Sequence, residues 1–477
     1  MAIQNAINAN KGRKICISGG TFLVAGLTLD GTTYDDTHII CVDAELKLKG
    51  DAGQSTFGGA WIGLLVRDCN RVNLDLKWHG NRDYMTQTRE QILCVALAGA
   101  NDVTIPNISF REIQGDGLYI AQKDWTVNSN PSRRVLIGSV FGHNSADFGR
   151  NLVTIISVAV CNITSVTSFQ VGGIINGVRQ PGGIDIEPDQ GYHLCEDVTI
   201  GNVNVVTAGS VGLGVLGKPY TSDVVGDWNT KNINIGNYDV RFTSASSGGV
   251  AFTRVFDINV RGSSCYDVGI RNKGVTIDYA TRVRADVKTK GCTVGLNVGP
   301  VGTVSNFEIS LMSSDFGLTG LRTTSCSFGK FTGRCYGSDA SFTTFGVQCH
   351  NEGRSGVTQT NVVYELDVPY DNVMARAFRN EPGNTVSYAN TYARNCDWSG
   401  YASFPVTNDA SIFLENVRGM NDAYAIPTNG TWFKGTFVKN SSPALGAASL
   451  QLGWVRITTG TGNVSGTDWA SCYTLLS

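Results

Sequence analysis

The sequence is poor in charged residues and in histidine, and each shortage excludes a class of function. Only 16% of the 477 residues are charged, the formal net charge is −2, and no block rich in lysine or arginine is present. Such a chain lacks the basic patch that nucleic-acid binding requires. The five histidines have no spacing typical of metal ligands (His38, His79, His143, His193 and His350). We therefore expect no nucleic-acid partner, no metal and no other cofactor.

Long apolar runs and paired cysteines are also missing. The longest apolar stretch, 152–160, is interrupted by Thr154 and Ser157 and is too short to span a bilayer. The N-terminus shows no signal-peptide pattern, so we expect neither export by that route nor membrane insertion. Thirteen cysteines form no C-x-x-C motif, and an odd number argues against a disulfide framework. Reduced thiols indicate folding in a cytoplasm.

The chain is rich in glycine, with 57 residues, and this glycine recurs in a pattern. A glycine followed by an aliphatic residue returns at irregular intervals, and segments of alternating apolar and polar residues lie between the pairs. Alternation with period two and β-branched residues predicts half-buried strands. The pairs are Gly117-Leu118, Gly183-Ile184, Gly212-Leu213, Gly249-Val250, Gly269-Ile270, Gly295-Leu296, Gly317-Leu318 and Gly346-Val347, with Asn151-Leu152 and Ala377-Phe378 as plausible further members.

The irregular interval favours one architecture, an all-β right-handed parallel β-helix of about ten or more rungs. Propellers and leucine-rich repeats keep a tighter period, whereas the strands of a β-helix stack in columns while its loops vary in length. The spacing of Cys16, Cys41, Cys69 and Cys94 suggests one such column. Ile3 and Ile7 lie on one face of a short helix, which we expect to cap the first rung.

The composition changes towards the C-terminus, where the repeat fades near residue 380. Residues 427–477 hold three of the eight tryptophans and predict a separate small β module. We therefore expect four segments: 1–30 for the capping helix and first strands, 31–395 for the β-helix that carries the functional site, 396–427 as a linking segment, and 428–477 as the C-terminal β module, related to trimer formation.

These features together resemble a bacteriophage tailspike, a polysaccharide depolymerase with a pectin-lyase-like fold. The most specific parts are "GIDIEPD" (183–189) and the closing "KGTFVKNSSPALG" with its later "GWVRITTG". The resemblance implies a homotrimer that binds bacterial surface polysaccharide, a capsule or lipopolysaccharide O-chain, and cleaves it. It also implies a place in the virion tail, reached through an N-terminal attachment region that we expect to precede this chain. Such a protein is made in the bacterial cytoplasm and acts at the host cell surface.

The stretch "GGIDIEPDQGYH" (182–193) concentrates acids on one predicted strand. Residues i and i+2 of a strand share a face, so Asp185, Glu187 and Asp189 are expected to point the same way. Two close carboxyl groups raise the pKa of one member, which suits a general acid, and glycoside hydrolysis uses a carboxyl pair. A solvated strand face would have the same composition. The resemblance favours catalysis, with Glu187 as general acid and Asp185 as its partner or base.

Further candidates come from neighbouring rungs and loops. Asp116 and Asp147 are candidate catalytic carboxyls, although Asp116 would equally suit a turn. Arg150 could hold a sugar carboxylate with two parallel hydrogen bonds. Aromatic and long polar side chains in the predicted loops are candidate sugar contacts, although loop packing would explain each of them as well: Arg179, Asp189, Tyr192, His193, Tyr119, Trp125 and Trp228.

Three functions remain open at this point. The first is endo-glycosidic hydrolysis by the paired carboxylates. The second is a polysaccharide lyase on the same fold, which needs a uronate substrate and a base such as His193, Tyr192, Lys218 or Arg179. The third is a receptor-binding spike without catalysis, which would keep the aromatic groove and have no need of the acids.

Overall fold

The protein is described here from a computed structural model that leaves some residues outside the description. Those residues are 1, 51–54, 58, 87, 208, 220–227, 243–248, 262–263, 268–272, 338–343, 352–356, 370–373, 381–386, 399–405, 408–412, 416, 418–421, 424–425, 427–430, 433, 441–448, 461 and 476–477. The chain divides into two compact units, 1–272 and 273–477. The sequence did not predict a boundary between residues 272 and 273. The four segments that it predicted remain a prediction.

The first unit begins with one helix and continues almost wholly in strands, joined by turns that include short 3-10 helices at Thr32–Tyr34 and Arg82–Tyr84. In chain order these are α1 (Ala2–Ala9), β1 (Lys14–Val24), β2 (Leu27–Asp30), β3 (His38–Leu48), β4 (Ser55–Phe57), β5 (Ala60–Arg67), β6 (Asn73–His79), β7 (Ile92–Ala98), β8 (Thr104–Arg111), β9 (Asp116–Ala121), β10 (Ser132–Phe148), β11 (Val153–Ile155), β12 (Val158–Val171), β13 (Ile174–Ile175), β14 (Val178–Arg179), β15 (Ile184–Ile186), β16 (Cys195–Thr207), β17 (Leu213–Leu216), β18 (Thr230–Phe242), β19 (Val250–Val260) and β20 (Ser264–Asp267).

The second unit is also built of strands. They are β21 (Lys273–Lys290), β22 (Val294–Val298), β23 (Val304–Ser314), β24 (Thr319–Thr323), β25 (Cys326–Tyr336), β26 (Thr344–Cys349), β27 (Thr358–Asp367), β28 (Met374–Asn380), β29 (Ser387–Ala389), β30 (Tyr392–Arg394), β31 (Val406–Thr407), β32 (Phe413–Glu415), β33 (Asp422–Ala423), β34 (Thr431–Trp432), β35 (Phe437–Asn440), β36 (Ser449–Arg456) and β37 (Trp469–Leu475).

The strands of the first unit stack in two parallel columns, so the predicted parallel β-helix is confirmed. One column runs β1, β3, β6, β8, β10, β12, β16 and β18. The other runs β2, β5, β7, β9, β11, β15, β17 and β19. The core lies between the columns, because alternate residues of each strand point inward, such as Leu118, Val153 and Ile184, which are fully buried.

The second unit repeats this arrangement and adds a smaller sheet. One column runs β21, β23, β25, β27, β30, β32 and β34. The other begins with the first residues of the same long strand β21 and continues with β22, β24, β26, β28 and β31. A four-stranded sheet of β33, β35, β36 and β37, antiparallel except between its first two strands, forms the predicted C-terminal β module. Its Trp469 packs edge-on against Trp432 at a ring distance of 5.3 Å.

The recurring glycines have a steric cause. A Cβ on Gly183 would come within 2.4 Å of the Gly212 carbonyl oxygen and 2.5 Å of the Val205 side chain. A Cβ on Gly212 would meet Val240 at 2.3 Å. At these positions the backbone lies so close to the neighbouring rung and to a core side chain that a Cβ atom does not fit. Glycine has no Cβ, so it allows this approach.

Part of the predicted register of these glycines is wrong. In the strand pairing, Gly320 and not Gly317 aligns with Gly295 and Gly346, and Leu152 rather than Asn151 aligns with Gly117. Gly274 is the member that precedes Gly295, whereas the predicted Gly269 lies outside the described residues. The pattern of Gly followed by an aliphatic residue is too short to define a register when a second such pair lies three residues away.

The predicted cysteine column is also wrong. Cys16 on β1 pairs with Ile40, and Cys41 on β3 pairs with Ile17, so the two thiols are one residue out of register. A shift of one residue turns a side chain to the other face of the strand, which leaves Cys16 exposed and Cys41 buried. Cys69 follows β5 and Cys94 lies on β7, in the other column. The described cysteines are all free thiols.

One corner of the first unit is a ladder of residues in the left-handed conformation. Its members, with φ between 53° and 66°, are Asp36, Arg71, Asp102, Arg134, Val160, Asp197, Asn232 and Asp257. Polar members on neighbouring rungs bond to each other: Arg71 Nε lies 2.6 Å from Asp36 Oδ1, and Asn232 Nδ2 lies 2.8 Å from Asp197 Oδ1. Polar side chains that bond to one another help to hold this strained conformation at a corner.

Helix α1 caps the open edge of the second column. The Gln4 side chain accepts a hydrogen bond from Thr28 N at 2.8 Å and donates one to Thr28 O at 3.0 Å. Gln4 thus supplies β2 with the two bonds that a further strand would make, which protects the edge from pairing with another chain. The predicted capping helix is confirmed. None of the described helical residues forms a segment long and apolar enough to cross a membrane.

Candidate functional site

The acidic stretch lies on the outward face of the second column in the first unit. Tyr119, Thr154 and Asp185 occupy matching positions on β9, β11 and β15. Each lies between two inward residues, yet all three are buried, with Asp185 only 1% exposed. Other parts of the unit therefore cover this outward face. The strand pairing places the side chains of successive rungs next to one another under this cover.

Asp116 and Arg150 form the most buried ion pair of this cluster. Arg150 Nη1 donates to Asp116 Oδ2 at 2.7 Å, and the backbone N–H of Asn151 lies 3.2 Å from Asp116 Oδ1. Burial raises the pKa of Asp116, and the guanidinium of Arg150 opposes that rise. Asp116 in turn raises the pKa of Arg150, which keeps its charge. The arginine is therefore held against Asp116 and carries positive charge into the acidic cluster.

Asn151 lies between the carboxyl groups of the two neighbouring rungs, Asp116 on one side and Asp185 on the other. Its Nδ2 donates to Thr154 at 3.0 Å and approaches Asp185 Oδ2 at 3.4 Å. Its Oδ1 accepts a hydrogen bond from the Gly182 backbone N–H at 3.1 Å. Because every polar atom of this amide is engaged, Asn151 fixes the position of Asp185 relative to Asp116.

Asp185 and Glu187 lie two residues apart, and the charge of Glu187 acts on the carboxyl of Asp185. Burial raises the pKa of Asp185 well above its ordinary value, and the nearby Glu187 raises it further through its charge and a hydrogen bond. Glu187 is only half-buried, whereas Asp185 is enclosed. The enclosed carboxyl of Asp185 therefore favours its protonated form more than an ordinary aspartate does, and the carboxyl of Glu187 lies towards solvent.

Asp189 adds a further carboxyl on the turn that follows the strand, and like Glu187 it is half-buried. Glu187 N still donates to the Ile155 carbonyl oxygen at 3.0 Å, but Pro188 has no N–H and ends the ladder. Burial raises the pKa of Asp189, and the charge of Glu187 adds to the rise, while Arg150 and Lys218 oppose it. Glu187 and Asp189 are thus two neighbouring carboxyls on the solvent side of the cluster.

His193 holds this turn in place. Its Nδ1 accepts hydrogen bonds from the backbone N–H groups of Asp189 and Gln190, at 3.1 and 3.2 Å. Burial lowers the pKa of His193 to about 4, so the ring is neutral at pH 7 and its hydrogen lies on Nε2. Tyr192 packs edge-on against it at 4.9 Å. With Nδ1 occupied, His193 has no free lone pair with which to act as a base.

An aromatic pair borders the acids. Tyr119 stacks on Trp125, with ring centroids 4.9 Å apart and an angle of 13° between the rings. Trp125 belongs to a loop that Gln122 holds through bonds to the carbonyl oxygens of Asp124 and Val127, at 2.6 and 2.7 Å. Tyr119 itself is 2% exposed, so Trp125 is the member of this pair that reaches the surface.

Three predicted residues are positioned by other parts of the first unit. Asp147 is exposed at the end of β10. Arg179 lies on the antiparallel hairpin of β13 and β14, which bonds to the segment before β7 through Asn176 Nδ2 and the Thr88 carbonyl oxygen at 2.7 Å. Trp228 is buried in a bridge to Pro219. The sequence analysis missed Asn151 and Thr154 as members of the cluster.

The chemistry of the cluster is that of proton transfer. Its four carboxyls are Asp116, Asp185, Glu187 and Asp189, and its cations are Arg150 and Lys218. Within the described part of the chain, no group of three or more histidine, cysteine, aspartate and glutamate side chains is arranged to hold a metal ion. The arrangement of an enclosed carboxyl with raised pKa, Asp185, beside the more exposed carboxyls of Glu187 and Asp189 suits general acid and base catalysis.

Fold and site together define an all-β protein with parallel β-helix columns and an acidic cluster on one column. A solved structure with a similar fold is the A-module of a mannuronan C-5 epimerase from Azotobacter vinelandii. It is 15% identical, covers 82% of this chain and 94% of its own, and superposes with a TM-score of 0.42. No family model and no curated protein matches the sequence significantly. The fold assignment rests on the strand pairing itself.

Proposed function

We propose that this chain is a phage tailspike that binds a bacterial surface polysaccharide and cleaves it by endo-glycosidic hydrolysis. The observation that carries the proposal is the enclosed carboxyl of Asp185 two residues from the half-buried carboxyl of Glu187, which lies towards solvent. The resemblance of "GIDIEPD" and the C-terminal segment to tailspikes supports the biological setting. The polysaccharide is a capsule or lipopolysaccharide O-chain at the host surface, and the chain acts in the virion tail.

In the proposed reaction Glu187 is the general acid. It donates its proton to the glycosidic oxygen as the bond between that oxygen and the anomeric carbon breaks. Asp185 is enclosed and cannot touch the sugar, so in this proposal it acts through the neighbouring carboxyl of Glu187. This sharpens the role expected from the sequence, in which Asp185 was the partner or the base.

The second carboxyl of the reaction is assigned to Asp189. A water molecule adds to the anomeric carbon and gives its proton to Asp189, and solvent returns that proton to Glu187. Arg150 stays paired with Asp116 and contributes its positive charge to the cluster. Trp125, backed by Tyr119, offers a flat surface on which a sugar ring can pack.

The test is cleavage by the variant Glu187→Gln. Glutamine keeps the size of the side chain but has no proton to donate, so we expect release of oligosaccharide to fall by about 100- to 10,000-fold. The matched control is Glu196→Gln, on the next strand of the same unit, where Glu196 pairs with Lys231 at 3.6 Å. Mass spectrometry of products from a panel of surface polysaccharides measures both variants and the unaltered chain.

The products decide between the alternatives. Hydrolysis adds water, whereas a lyase leaves an unsaturated uronate whose double bond absorbs in the ultraviolet; that absorbance would overturn hydrolysis. Undiminished cleavage by Glu187→Gln would remove the assigned general acid. If the unaltered chain binds its host glycan and releases no oligosaccharide, it is a receptor-binding spike without catalysis.

A further inference from the structure

The second unit contains a row of polar side chains on the outward face of one column. Strand pairing aligns Thr276 on β21 with Asn297 on β22, then Arg322, Gln348 and Arg379 on β24, β26 and β28. Matching positions on stacked strands lie about 4.8 Å apart, so neighbouring side chains are within reach of a common ligand. None of these residues belongs to the acidic cluster.

Asn297 is the unusual member of the row. It is 0% exposed, and neither its Oδ1 nor its Nδ2 has a hydrogen-bond partner. Leu296 and Val298 on either side point into the core, so the Asn297 amide points outward along the row. A buried amide that leaves both its donor and its acceptor unused is rare and costly, and it calls for a missing partner.

The neighbours of Asn297 determine the charge of that partner. Arg322 adjoins it directly in the strand pairing and donates from Nε to Gln348 Oε1 at 3.2 Å. Arg379 follows, with its guanidinium 4.3 Å from the centre of the Phe345 ring. On the same face, the carboxylate of Asp278 accepts bonds from the backbone N–H groups of Val301 and Gly302, at 3.1 and 2.7 Å. Two guanidinium groups along one row favour an anionic ligand, and arginine matches a carboxylate geometrically.

The amide of Asn297 narrows the chemical class of the ligand further. Its Nδ2 donates and can bind a carboxylate oxygen, but its Oδ1 accepts and needs a donor such as a hydroxyl group. A ligand that satisfies both carries a carboxylate and a hydroxyl close together, which is the pattern of a sugar acid. Arg322 is partly exposed and adjoins Asn297 in the strand pairing, so the row reaches the surface next to the buried amide.

We propose that Asn297 and Arg322, with Gln348 and Arg379, form a binding site for the carboxylate of an acidic sugar unit, separate from the acidic cluster. This site binds and does no chemistry. It stands without the proposed hydrolysis, because a receptor-binding spike or a lyase would use it equally.

The test measures binding of methyl glucuronide to the full chain by ligand-observed NMR. Acetate, which has the carboxylate alone, and methyl glucoside, which has the hydroxyls alone, are the comparison probes. We expect methyl glucuronide to bind at least about tenfold more tightly than either, because only it satisfies both the guanidinium groups and the amide. Glu187→Gln is expected to leave this affinity unchanged, which separates the site from catalysis.

Two variants locate the binding. Asn297→Leu removes both orphaned polar atoms at similar size, so we expect the affinity to fall about tenfold or more while the melting temperature does not fall. Arg322→Gln is expected to weaken binding as well, whereas Arg284→Gln, at an exposed position on β21, keeps it. Unchanged binding in both site variants overturns the proposal. So does acetate that binds as well as the glucuronide, or an unaltered chain that binds none of the three probes.

Discussion

At the scale of single residues, two carboxyls only two positions apart have different surroundings. Asp185 is enclosed between stacked strands, and Glu187 lies where the strand ends and its side chain reaches solvent. The difference follows from Pro188, which ends the ladder one residue after Glu187. A buried carboxyl that holds a proton behind a more exposed one is the residue-level basis of the proposed acid catalysis.

Asp185→Asn is expected to unfold at a higher temperature than the unaltered chain at pH 7. Burial and Glu187 raise the folded pKa of Asp185 above its ordinary value of 3.8, so the folded chain holds a proton that the unfolded chain releases. Stability therefore falls as the pH rises from 3.8 towards the raised pKa. Asparagine is neutral throughout and avoids this loss, a gain of about 1 kcal/mol or more at pH 7.

Thermal unfolding at pH 7 and at pH 4 checks this prediction. The gain should shrink towards pH 4, because there the pH is close to the ordinary pKa of 3.8 and a large share of the unfolded chains also hold the proton on Asp185. Asp83→Asn is the control, because the Asp83 side chain is 82% exposed. A gain that grows on acidification would contradict the assigned direction of the pKa.

At the scale of elements, the stacking of strands explains both the glycine pattern and the need for helix α1 to cover the first strand edge. Each rung leaves one edge free for the next, and the first rung of the second column has no earlier strand to pair with. Gln4 fills that place with two hydrogen bonds to Thr28. The glycines, in contrast, allow successive turns of the chain to approach within the core.

Gln4→Ala is expected to destabilise the first unit by about 1–2 kcal/mol, since two hydrogen bonds to the β2 edge are lost. The freed edge should also increase aggregation on heating. Asn5→Ala is the matched control, since Asn5 is an exposed residue of the same helix. Thermal unfolding with light scattering measures both effects, and equal behaviour of the two variants would show that Gln4 does not protect the edge.

Gly183→Ala is expected to destabilise the fold by about 1–3 kcal/mol, the usual cost of overpacking a core. The added methyl would lie 2.4 Å from the Gly212 carbonyl oxygen and 2.5 Å from the Val205 side chain, closer than van der Waals contact allows. The position precedes the acidic stretch, so cleavage should fall as well. Chemical unfolding monitored by circular dichroism is the measurement, and a variant as stable as the unaltered chain would disprove the steric account.

At the scale of the whole molecule, the proposed tailspike is a homotrimer. This expectation comes from the resemblance of the sequence to tailspikes, and it places three acidic clusters on one particle. Several weak sugar contacts along one polysaccharide chain bind more tightly than one contact does, because the later contacts form at a high effective concentration.

Light scattering coupled to size-exclusion chromatography is expected to give a mass of about 153 kDa, three times the 51.0 kDa of one chain. The control is the same measurement at a tenfold lower concentration, where a stable trimer keeps its mass. A mass of one chain at both concentrations would contradict the trimer and leave each chain to bind polysaccharide by itself.

The sequence by itself determined the fold class and the capping helix, and it singled out Asp185 and Glu187 as neighbours on one strand face. These follow from local rules: the alternation of strand residues, the helical spacing of Ile3 and Ile7, and the shared face of residues i and i+2. The glycine pattern also revealed the repeat, since close approaches that exclude a side chain recur on several rungs.

Only the tertiary structure decided the register, the burial and the wider cluster. A shift of one residue separates the faces of Cys16 and Cys41, and no local signal reports such a shift. Asn151 and Thr154 lie next to Asp185 although more than 30 residues of chain separate them from it, because their rung and that of Asp185 stack directly in parallel. Burial, which sets the pKa of Asp185 and leaves Asn297 without a partner, arises only when other segments cover the column.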